Sequence, residues 1–213
     1  MNIVQELSSR ELKKTQRRLQ LVAQASALIA AKGLRSLKVR DVAAAVECSI
    51  GSIYNEFGDF DGLILEVTRD TFRALAASLS QAEAADPVEH LHRLADRYLD
   101  FATDHPNLLR ALFEHRMEDD RPFPDDVLEM SVATFALMVQ PLAKLLPDYS
   151  AERIGMLART LFSAVHGIIS LGLEQRLVAV PPKGLRRQLS LFVDTHLAGG
   201  FGAWKSAGLP VER

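Results

Sequence analysis

The chain has 213 residues, 48% of them apolar and 24% charged, and its net charge at pH 7 is −2. A chain of this length can bury a substantial core in one or two domains, and it shows neither a secretory signal segment nor an obvious membrane-spanning apolar run. Cys48 is the sole cysteine, which excludes an internal disulfide and a cysteine-based zinc site, so we expect a cytoplasmic protein that does not enter a membrane.

The charge is unevenly distributed along the sequence. Residues 1–57 carry nine lysines and arginines against five acidic residues, a net charge of +4 that leaves −6 for the remainder. Salt screens exposed charges beyond roughly 8–10 Å, so a basic segment can attract phosphates although the whole chain is acidic. The segment is therefore a candidate nucleic-acid interface, with an ordinary solvated helix face as the alternative.

Apolar residues recur at steps of three and four along the N-terminal part, which predicts helices rather than strands. A first helix is expected over residues 9–31, with Gly33 ending it in a left-handed conformation. Two short helices follow at about residues 39–46 and 50–57. Asp59 is placed to cap a long helix that runs to about residue 85.

The helical pattern continues to the end of the chain. Asp86 is a predicted N-cap, followed by Pro87 and a helix that ends before Pro106. A short helix at about residues 107–115 leads into an exposed acidic loop over 118–126. Further helices are expected at about residues 125–146, 150–177 and 182–207. The predicted fold is all-α, with a three-helix domain over residues 1–57 and a larger antiparallel helical domain over 58–213.

The two short helices and their three-residue connection form the most informative segment. Helices this short need tertiary support, and the first long helix can supply it, which is the construction of a helix-turn-helix. Ser49 is a good N-cap for the second short helix, and small residues after it let the backbone approach a groove. The candidate DNA-binding residues are Lys38, Arg40, Ser49, Ile50, Gly51, Ser52, Tyr54 and Asn55.

This segment resembles the tetracycline-repressor (TetR) family, whose DNA-binding region typically reads Thr/Ser-Val-Arg-Asp-Ile-Ala-x-Ala-Ala-Gly-Val-Ser-x-Gly-Thr-Leu-Tyr-x-x-Phe. The matching residues are Val39, Arg40, Asp41, Val42, Ala43, Ala45, Ser49, Gly51, Ser52, Ile53, Tyr54, Phe57 and Leu63. The resemblance implies that the helix after Ser49 recognises DNA and that Tyr54 contacts a phosphate. It also implies a homodimer built by the last two helices, on a double-stranded DNA operator.

The sequence departs from the family pattern at several positions. Lys38 replaces the usual hydroxyl cap, so half of a capping pair with Asp41 is missing. Glu47 replaces the turn glycine, which strains the turn if the backbone stays left-handed. Phe60 replaces a lysine that commonly touches phosphate and is followed by Asp61-Gly62. These changes predict weaker DNA binding, or binding displaced toward the basic residues between Arg10 and Arg18.

The larger domain is expected to bind an unidentified small-molecule effector. The segment from Phe101 to Phe113 and the Val165-His166-Gly167 triplet resemble a TetR C-terminal subtype with a Trp-His-Gly signature, from which Val165 departs. His166 is either a core histidine bonded to a helix carbonyl or a polar anchor in the pocket. The candidate ligand-binding residues are Phe101, Phe113, Met117, Phe135, Met138 and His166.

The last predicted helix is apolar along one side, which predicts a partner for it. Packed with residues 151–177 against a two-fold copy, it would form a four-helix interface that matches a palindromic operator. The alternative is packing within the chain alone. The residues on this side are Leu185, Leu189, Phe192, Val193, Leu197, Phe201 and Trp204.

Other residue types give weaker signals. Cys48 is expected to be a small apolar filler, with a redox sensor as the alternative. The histidines show no metal-ligand spacing, and no catalytic or phosphate-loop motif is present, so we expect no metal, no cofactor and no enzyme.

The sequence thus favours a ligand-controlled transcriptional repressor. The open alternative is a helical protein-interaction or small-molecule carrier module whose DNA-binding head is degenerate. The departures at Glu47 and Phe60 are what keep it open.

Overall fold

The computed structural model describes residues 9–174 and 181–199, and within these ranges it is helical with no strand. The prediction of an all-α fold is confirmed. The helices are α1 (Ser9–Lys32), α2 (Val39–Ala45), α3 (Ile50–Phe57), α4 (Phe60–Ser80), α5 (Pro87–Asp104), α6 (Pro106–Glu114), α7 (Asp125–Leu145), α8 (Ala151–Glu174) and α9 (Pro182–Val193). Short 3₁₀ turns lie at Leu34–Ser36 and Glu118–Asp120, and α9 continues as a π-helical turn over Asp194–Gly199.

Local capping signals set several of these boundaries. The Asp59 carboxylate accepts a hydrogen bond from the Gly62 N–H at 2.6 Å, and Asp86 accepts one from the Glu89 N–H at 2.9 Å. Both aspartates therefore cap helices as predicted, because each satisfies a backbone donor in a first helical turn.

Gly33 ends α1 in a different conformation from the predicted one. Its φ of 79° is positive, but its ψ of 160° lies outside the left-handed helical region. This backbone conformation is essentially restricted to glycine, since a side chain there would clash with the chain. Gly33 therefore turns the chain sharply into the first 3₁₀ turn.

One predicted boundary was wrong. The fourth helix ends at Ser80 rather than near residue 85. The acidic segment after α6 is mostly exposed, as predicted for a loop, and it includes a 3₁₀ turn in which Asp119 and Asp120 have positive φ values of 58° and 52°. For the last two helices, the predicted portions beyond residues 174 and 199 lie outside the described residues.

The chain divides into two compact units. Unit 1 combines the chain up to Arg73 with His105–Met130, and unit 2 combines Ala74–Asp104 with the chain from Ser131 onward. Unit 1 thus contains α1, α2, α3 and α6 in full, together with most of α4 and the first residues of α7. The domain boundary after residue 57 stays a prediction, since compactness alone does not define a functional domain.

The core of unit 1 is built by the inward faces of its helices. Leu21 and Ile29 of α1, Val42 of α2, Ile53 of α3 and Leu63 of α4 are each completely buried. The short helices α2 and α3 each contribute few side chains, so they depend on the long helices for their stability. The core is what holds α3 in place.

Unit 2 buries much of its last helix within the chain. Leu185, Leu189 and Val193 of α9 are at most 4% exposed. A Cβ atom at Gly172 of α8 would lie 2.2 Å from the Leu185 side chain, so this glycine permits the close packing of α8 and α9. These three side chains therefore pack within the chain, which was the alternative to a dimer interface, and they are not free to contact a partner subunit. Phe201 and Trp204 lie outside the described residues, and so does the Leu197 side chain.

The helices α7 and α8 are apolar but incompletely covered. Both are long and apolar enough to cross a membrane by length and composition, yet only 17% and 22% of their most apolar windows are buried. This is weak evidence for a membrane span, because helices of soluble proteins meet the same criteria. It does show that much of their apolar surface lies open in a single chain.

Candidate functional site

The turn between α2 and α3 is fixed by backbone hydrogen bonds. The Cys48 N–H donates to the Ala43 carbonyl at 2.9 Å, and the Glu47 N–H donates to the Ala44 carbonyl at 3.2 Å. This is the Schellman pattern, whose central residue adopts a left-handed conformation that favours glycine. Glu47 occupies that position with a φ of 54°, so the predicted strain in the turn is present.

The beginning of α3 is capped by a side chain. The Ser49 hydroxyl accepts a hydrogen bond from the Ser52 N–H at 3.2 Å, and the two hydroxyl oxygens lie 2.9 Å apart. At the other end, Gly58 has a φ of 84° and donates to the Tyr54 carbonyl. The helix is therefore terminated at both ends by interactions encoded locally.

The two faces of α3 differ in burial. Ile53 faces the core of unit 1 and is fully buried, whereas Ile50, Gly51, Tyr54 and Asn55 are exposed. These four residues recur at the spacing of one helix face. The structure thus brings most of the predicted recognition residues onto one outward surface, with Ser49 and Ser52 at its N-terminal edge.

Gly51 is not required by the packing of the chain itself. A Cβ atom built there would meet only the Ser49 hydroxyl, at an ordinary distance of 3.8 Å. At Gly62, in contrast, a Cβ atom would lie 2.1 Å from the Phe57 carbonyl oxygen. Gly62 is therefore needed to pack α4 against the end of α3. Gly51 has no such role within the chain, and its small size leaves the exposed face of α3 open to close contact with a binding partner.

The predicted basic contacts flank this surface. Lys38 precedes α2 in an extended conformation and forms no side-chain cap, as expected from the missing hydroxyl. The side chain of Arg40 is 69% exposed, with its Nε 3.6 Å from the Asp41 carboxylate. Lys38 is also exposed, and the Arg40 ion pair holds its guanidinium only weakly, because an exposed ion pair of this kind contributes little.

Phe60 and Cys48 pack against the core of unit 1 as partly buried side chains. Phe60 therefore contributes apolar packing where the family commonly has a phosphate contact. Cys48 has the environment expected of a small apolar filler.

The predicted ligand-binding residues fall into both units. Met117 is 8% exposed and packs with Leu65 and Val127 in unit 1, and Phe113 of α6 is 51% exposed in the same unit. Phe101, Phe135, Met138 and His166 belong to unit 2. The structure therefore does not bring the six residues together in one unit.

His166 lies at the centre of an aromatic and polar cluster in unit 2. Its Nδ1 is 2.8 Å from the Tyr98 hydroxyl and its Nε2 is 3.3 Å from the Ser170 hydroxyl. The Phe162 ring stacks on the imidazole, with centroids 5.8 Å apart, and Phe135 meets Phe162 edge-on. We name Tyr98, Phe135, Phe162, His166 and Ser170 the α5–α8 cluster.

Burial determines the protonation states within the α5–α8 cluster. Desolvation lowers the pKa of His166 below its ordinary value of 6.5 and raises the pKa of Tyr98. Both effects disfavour the charged form in an apolar environment. At neutral pH the cluster therefore consists of an uncharged imidazole and a protonated phenol.

Tyr98 is not among the ligand-binding residues predicted from the sequence. A usable signal is present, because a tyrosine on the apolar side of a predicted helix requires a partner for its hydroxyl. That partner is 68 residues away in the sequence, and sequence periodicity cannot identify it.

No metal site is indicated in the part of the chain that the structure describes. Its His, Cys, Asp and Glu side chains include no group of three that could hold a metal ion.

Two family models and several solved structures match this chain. Residues 21–67 match the model described as "Bacterial regulatory proteins, tetR family", and residues 91–196 match "Tetracyclin repressor-like, C-terminal domain". No curated protein matches the sequence. Several solved structures share the fold.

One of these is a protein of unknown function from Rhodococcus sp. RHA1, with 22% identity and a TM-score of 0.70 over 93% of this chain and 100% of that one. A TetR-family transcriptional regulator from Streptomyces coelicolor is 18% identical, with a TM-score of 0.68 over 91% and 86% of the two chains. The TetR-family regulator PfmR from Thermus thermophilus is 17% identical, with a TM-score of 0.61 over 84% and 98%.

These structural similarities establish the fold, and the two family models together match the DNA-binding segment and most of the C-terminal part. The chain belongs to the TetR family and is a DNA-binding transcriptional regulator.

Proposed function

We propose that this regulator is a homodimeric repressor, which binds a two-fold symmetric DNA operator through α3 and is released by a small apolar or amphipathic effector. The observation that carries the proposal is the outward face of α3. It is a capped helix whose exposed residues include an apolar, a small and two polar side chains, while Ile53 anchors it to the core.

Each exposed position of α3 has a suitable role in a major groove. Ile50 can contact a thymine methyl group, and Asn55 can form paired hydrogen bonds with adenine. Gly51 lets the backbone approach the base edges. Tyr54 and Ser52 can donate to phosphates, as can the free N–H groups at the Ser49 end of the helix. Lys38 and Arg40 supply sequence-independent attraction to the backbone.

A dimer is supported by one stripe of α8. Its members are spaced three or four residues apart and are uncharged and mostly exposed: Met156, Thr160, Ser163, Gly167 and Leu171. A Cβ atom at Gly167 would meet nothing within 4 Å. Such a stripe can pack closely against its two-fold copy, and a two-fold dimer is what a palindromic operator with half-sites about 34–36 Å apart, one turn of DNA, requires.

The effector site is proposed at the α5–α8 cluster, together with Phe101 and Met138 of unit 2. Its aromatic rings offer apolar contact area, and the uncharged His166 and Tyr98 offer a few directed hydrogen bonds, which is the usual composition of a small-molecule site. We assign no role in this site to Phe113 and Met117. We place the protein in the cytoplasm and assign it no catalytic activity, as for TetR-family regulators in general.

DNA binding is tested with a duplex that the wild-type protein selects from a randomised pool. Affinity measured by fluorescence anisotropy is expected to fall with salt, with a slope in log K against log salt that Arg40→Ala reduces by about 0.9 if one phosphate contact is lost. Arg97→Ala, an exposed arginine of unit 2, is the matched control and should leave the slope unchanged. A wild-type affinity independent of salt would contradict the proposed phosphate contacts.

Effector binding is tested by a thermal-shift screen of amphipathic aromatic molecules. A compound that acts at the α5–α8 cluster is expected to stabilise the wild type, to stabilise His166→Leu much less, and to release the selected duplex. Compounds that release DNA equally well from both proteins would place the site elsewhere.

A further inference from the structure

The basic residues of α1 do not all have the same environment. Lys13, Lys14 and Arg17 are exposed, whereas the side chain of Arg18 is 35% exposed and lies among three helices. The sequence shows these residues only as one basic run. The structure separates Arg18 from the others.

Arg18 contacts the end of α3 in two ways. Its Nη1 donates a hydrogen bond to the Glu56 carbonyl at 2.8 Å, and its guanidinium carbon lies 4.4 Å above the centre of the Phe57 ring. The Glu56 carbonyl is among the last four of α3 and has no acceptor role within the helix. Arg18 therefore satisfies a free carbonyl at the negative end of the helix dipole, where a cation is stabilising.

The same guanidinium is anchored to α4. Its Nη2 donates to the Glu66 carboxylate at 2.5 Å. Glu66 is also contacted by Arg69 at 3.4 Å, and Arg69 in turn pairs with Asp126 at 2.6 Å. The ion pairs thus form a continuous network within unit 1, from α1 across α4 to the first residues of α7, and this network fixes where the Arg18 fork can point.

The need for such an anchor follows from the size of α3. The helix has eight residues, and Ile53 is its one buried residue. A single buried side chain holds a helix near the core but defines its rotation poorly. A planar fork that binds a carbonyl, a ring face and a carboxylate at once restricts this rotation, and a lysine ammonium cannot reproduce that geometry.

We propose that Arg18 is a positioning residue for α3, which sets the angle at which its outer face meets DNA, and that it does not contact phosphate. The inference rests on the proposed role of α3 in DNA recognition. It assigns to Arg18 a function different from that of its exposed neighbours Lys14 and Arg17.

Salt dependence distinguishes the two roles. A phosphate contact releases counterions, so its loss lowers the slope of log K against log salt by about 0.9, whereas loss of a positioning contact leaves the slope unchanged. Arg18→Met keeps the apolar stem and removes the fork. We expect it to reduce affinity for the selected duplex about tenfold at every salt concentration, since a charge-assisted hydrogen bond is lost.

Arg17→Met is the matched control, because it removes an adjacent but exposed arginine. Glu66→Ala removes the acceptor that anchors Arg18 without touching any DNA-facing residue, and it should also reduce affinity. Combined with Arg18→Met it should add little, since the two residues act through one contact. The ratio of affinities for selected and random duplexes should fall in Arg18→Met, because misplaced base contacts affect specific binding most.

All measurements are made well below the unfolding temperature of each variant, so that affinity reports on folded protein. A slope reduced by about 0.9 in Arg18→Met would show that it is a phosphate contact and overturn the inference. Wild-type affinity in Arg18→Met would overturn it as well. Failure of the wild type to bind any duplex would overturn the proposed function and the inference together, whereas either of the first two results leaves the proposed function intact.

Discussion

The two units differ in how completely contacts within the chain bury the apolar faces of their helices. In unit 1 the helices bury their apolar faces against one another, and ion pairs join α1, α4 and the start of α7. In unit 2, α5, α8 and α9 share a buried core, but few residues of α7 are fully buried and one stripe of α8 is mostly exposed. A segment that must present a fixed helix to DNA is stabilised from within. Unit 2, which is proposed to bind a second subunit and an effector, leaves apolar surface exposed for them.

The largest expected effect concerns unit 2 and tests whether the exposed stripe of α8 forms the dimer interface. Ser163→Arg places a charge in the middle of the exposed α8 stripe, and in a dimer that charge would be buried without a counterion. Such a charge typically costs about 3–5 kcal/mol, so the dissociation constant of the dimer should rise by at least about 100-fold, as measured by sedimentation equilibrium.

Ala77→Glu provides the matched control, since it adds a charge at an exposed helical position of unit 2 outside the stripe. The dimer should survive this change. A Ser163→Arg protein that dimerises as strongly as the wild type would remove the α8 stripe from the proposed interface.

The second prediction concerns unit 1 and compares Gly62, which is closely packed, with Gly51, which is exposed. Gly62→Ala forces a Cβ atom against the Phe57 carbonyl and should destabilise the protein by about 3 kcal/mol. Gly51→Ala should stabilise α3 slightly, by up to about 1 kcal/mol, and yet reduce DNA affinity about tenfold if the groove is close.

Denaturant unfolding and the selected-duplex assay separate these outcomes. If Gly51→Ala left affinity at the wild-type value, close approach of the helix backbone to the groove floor would be wrong.

The third prediction compares a histidine from each unit, His115, which is buried, and His166, which is partly buried. Desolvation lowers the pKa of His115 in unit 1, and it lowers the pKa of His166 in unit 2. The Asp61 carboxylate, 3.4 Å from His115 Nε2, opposes the shift there. The folded protein thus binds protons more weakly than the unfolded chain, so stability is fully present above pH 6.5 and is lost as the pH falls below it.

Thermal unfolding between pH 5 and pH 8 measures this loss. His115→Gln and His166→Gln should each flatten the dependence, and the two slopes show which unit is more sensitive to acid. A wild-type unfolding temperature that rises as the pH falls from 6.5 would contradict the prediction.

The smallest expected effect concerns the strained turn before α3. Glu47→Gly removes the side chain from a left-handed position, a gain of about 1–2 kcal/mol that the greater freedom of glycine in the unfolded chain partly offsets. The net increase in the free energy of unfolding should be about 0.5–1 kcal/mol. Denaturant unfolding measures it, with Glu152→Gly, on an exposed first helical turn, expected to change stability in the opposite direction. Destabilisation by Glu47→Gly would show that the glutamate side chain has a stabilising role of its own.

The sequence by itself determined the helical fold, the helix-turn-helix and the caps at Ser49, Asp59 and Asp86, because each cap joins a side chain to a backbone N–H three residues away. Such interactions are complete within one turn of chain. The strain at Glu47 was predictable for the same reason.

Only the tertiary structure showed which residues, among those that the sequence pattern does not distinguish, have structural roles. Arg18 is separated from its partners by 38 and 48 residues, and Tyr98 from His166 by 68. The same holds for α6, which joins unit 1 although it follows α5 in the sequence, and for the burial of α9 within the chain. Periodicity shows which face of a helix is apolar, but the packing of distant helices determines what that face meets.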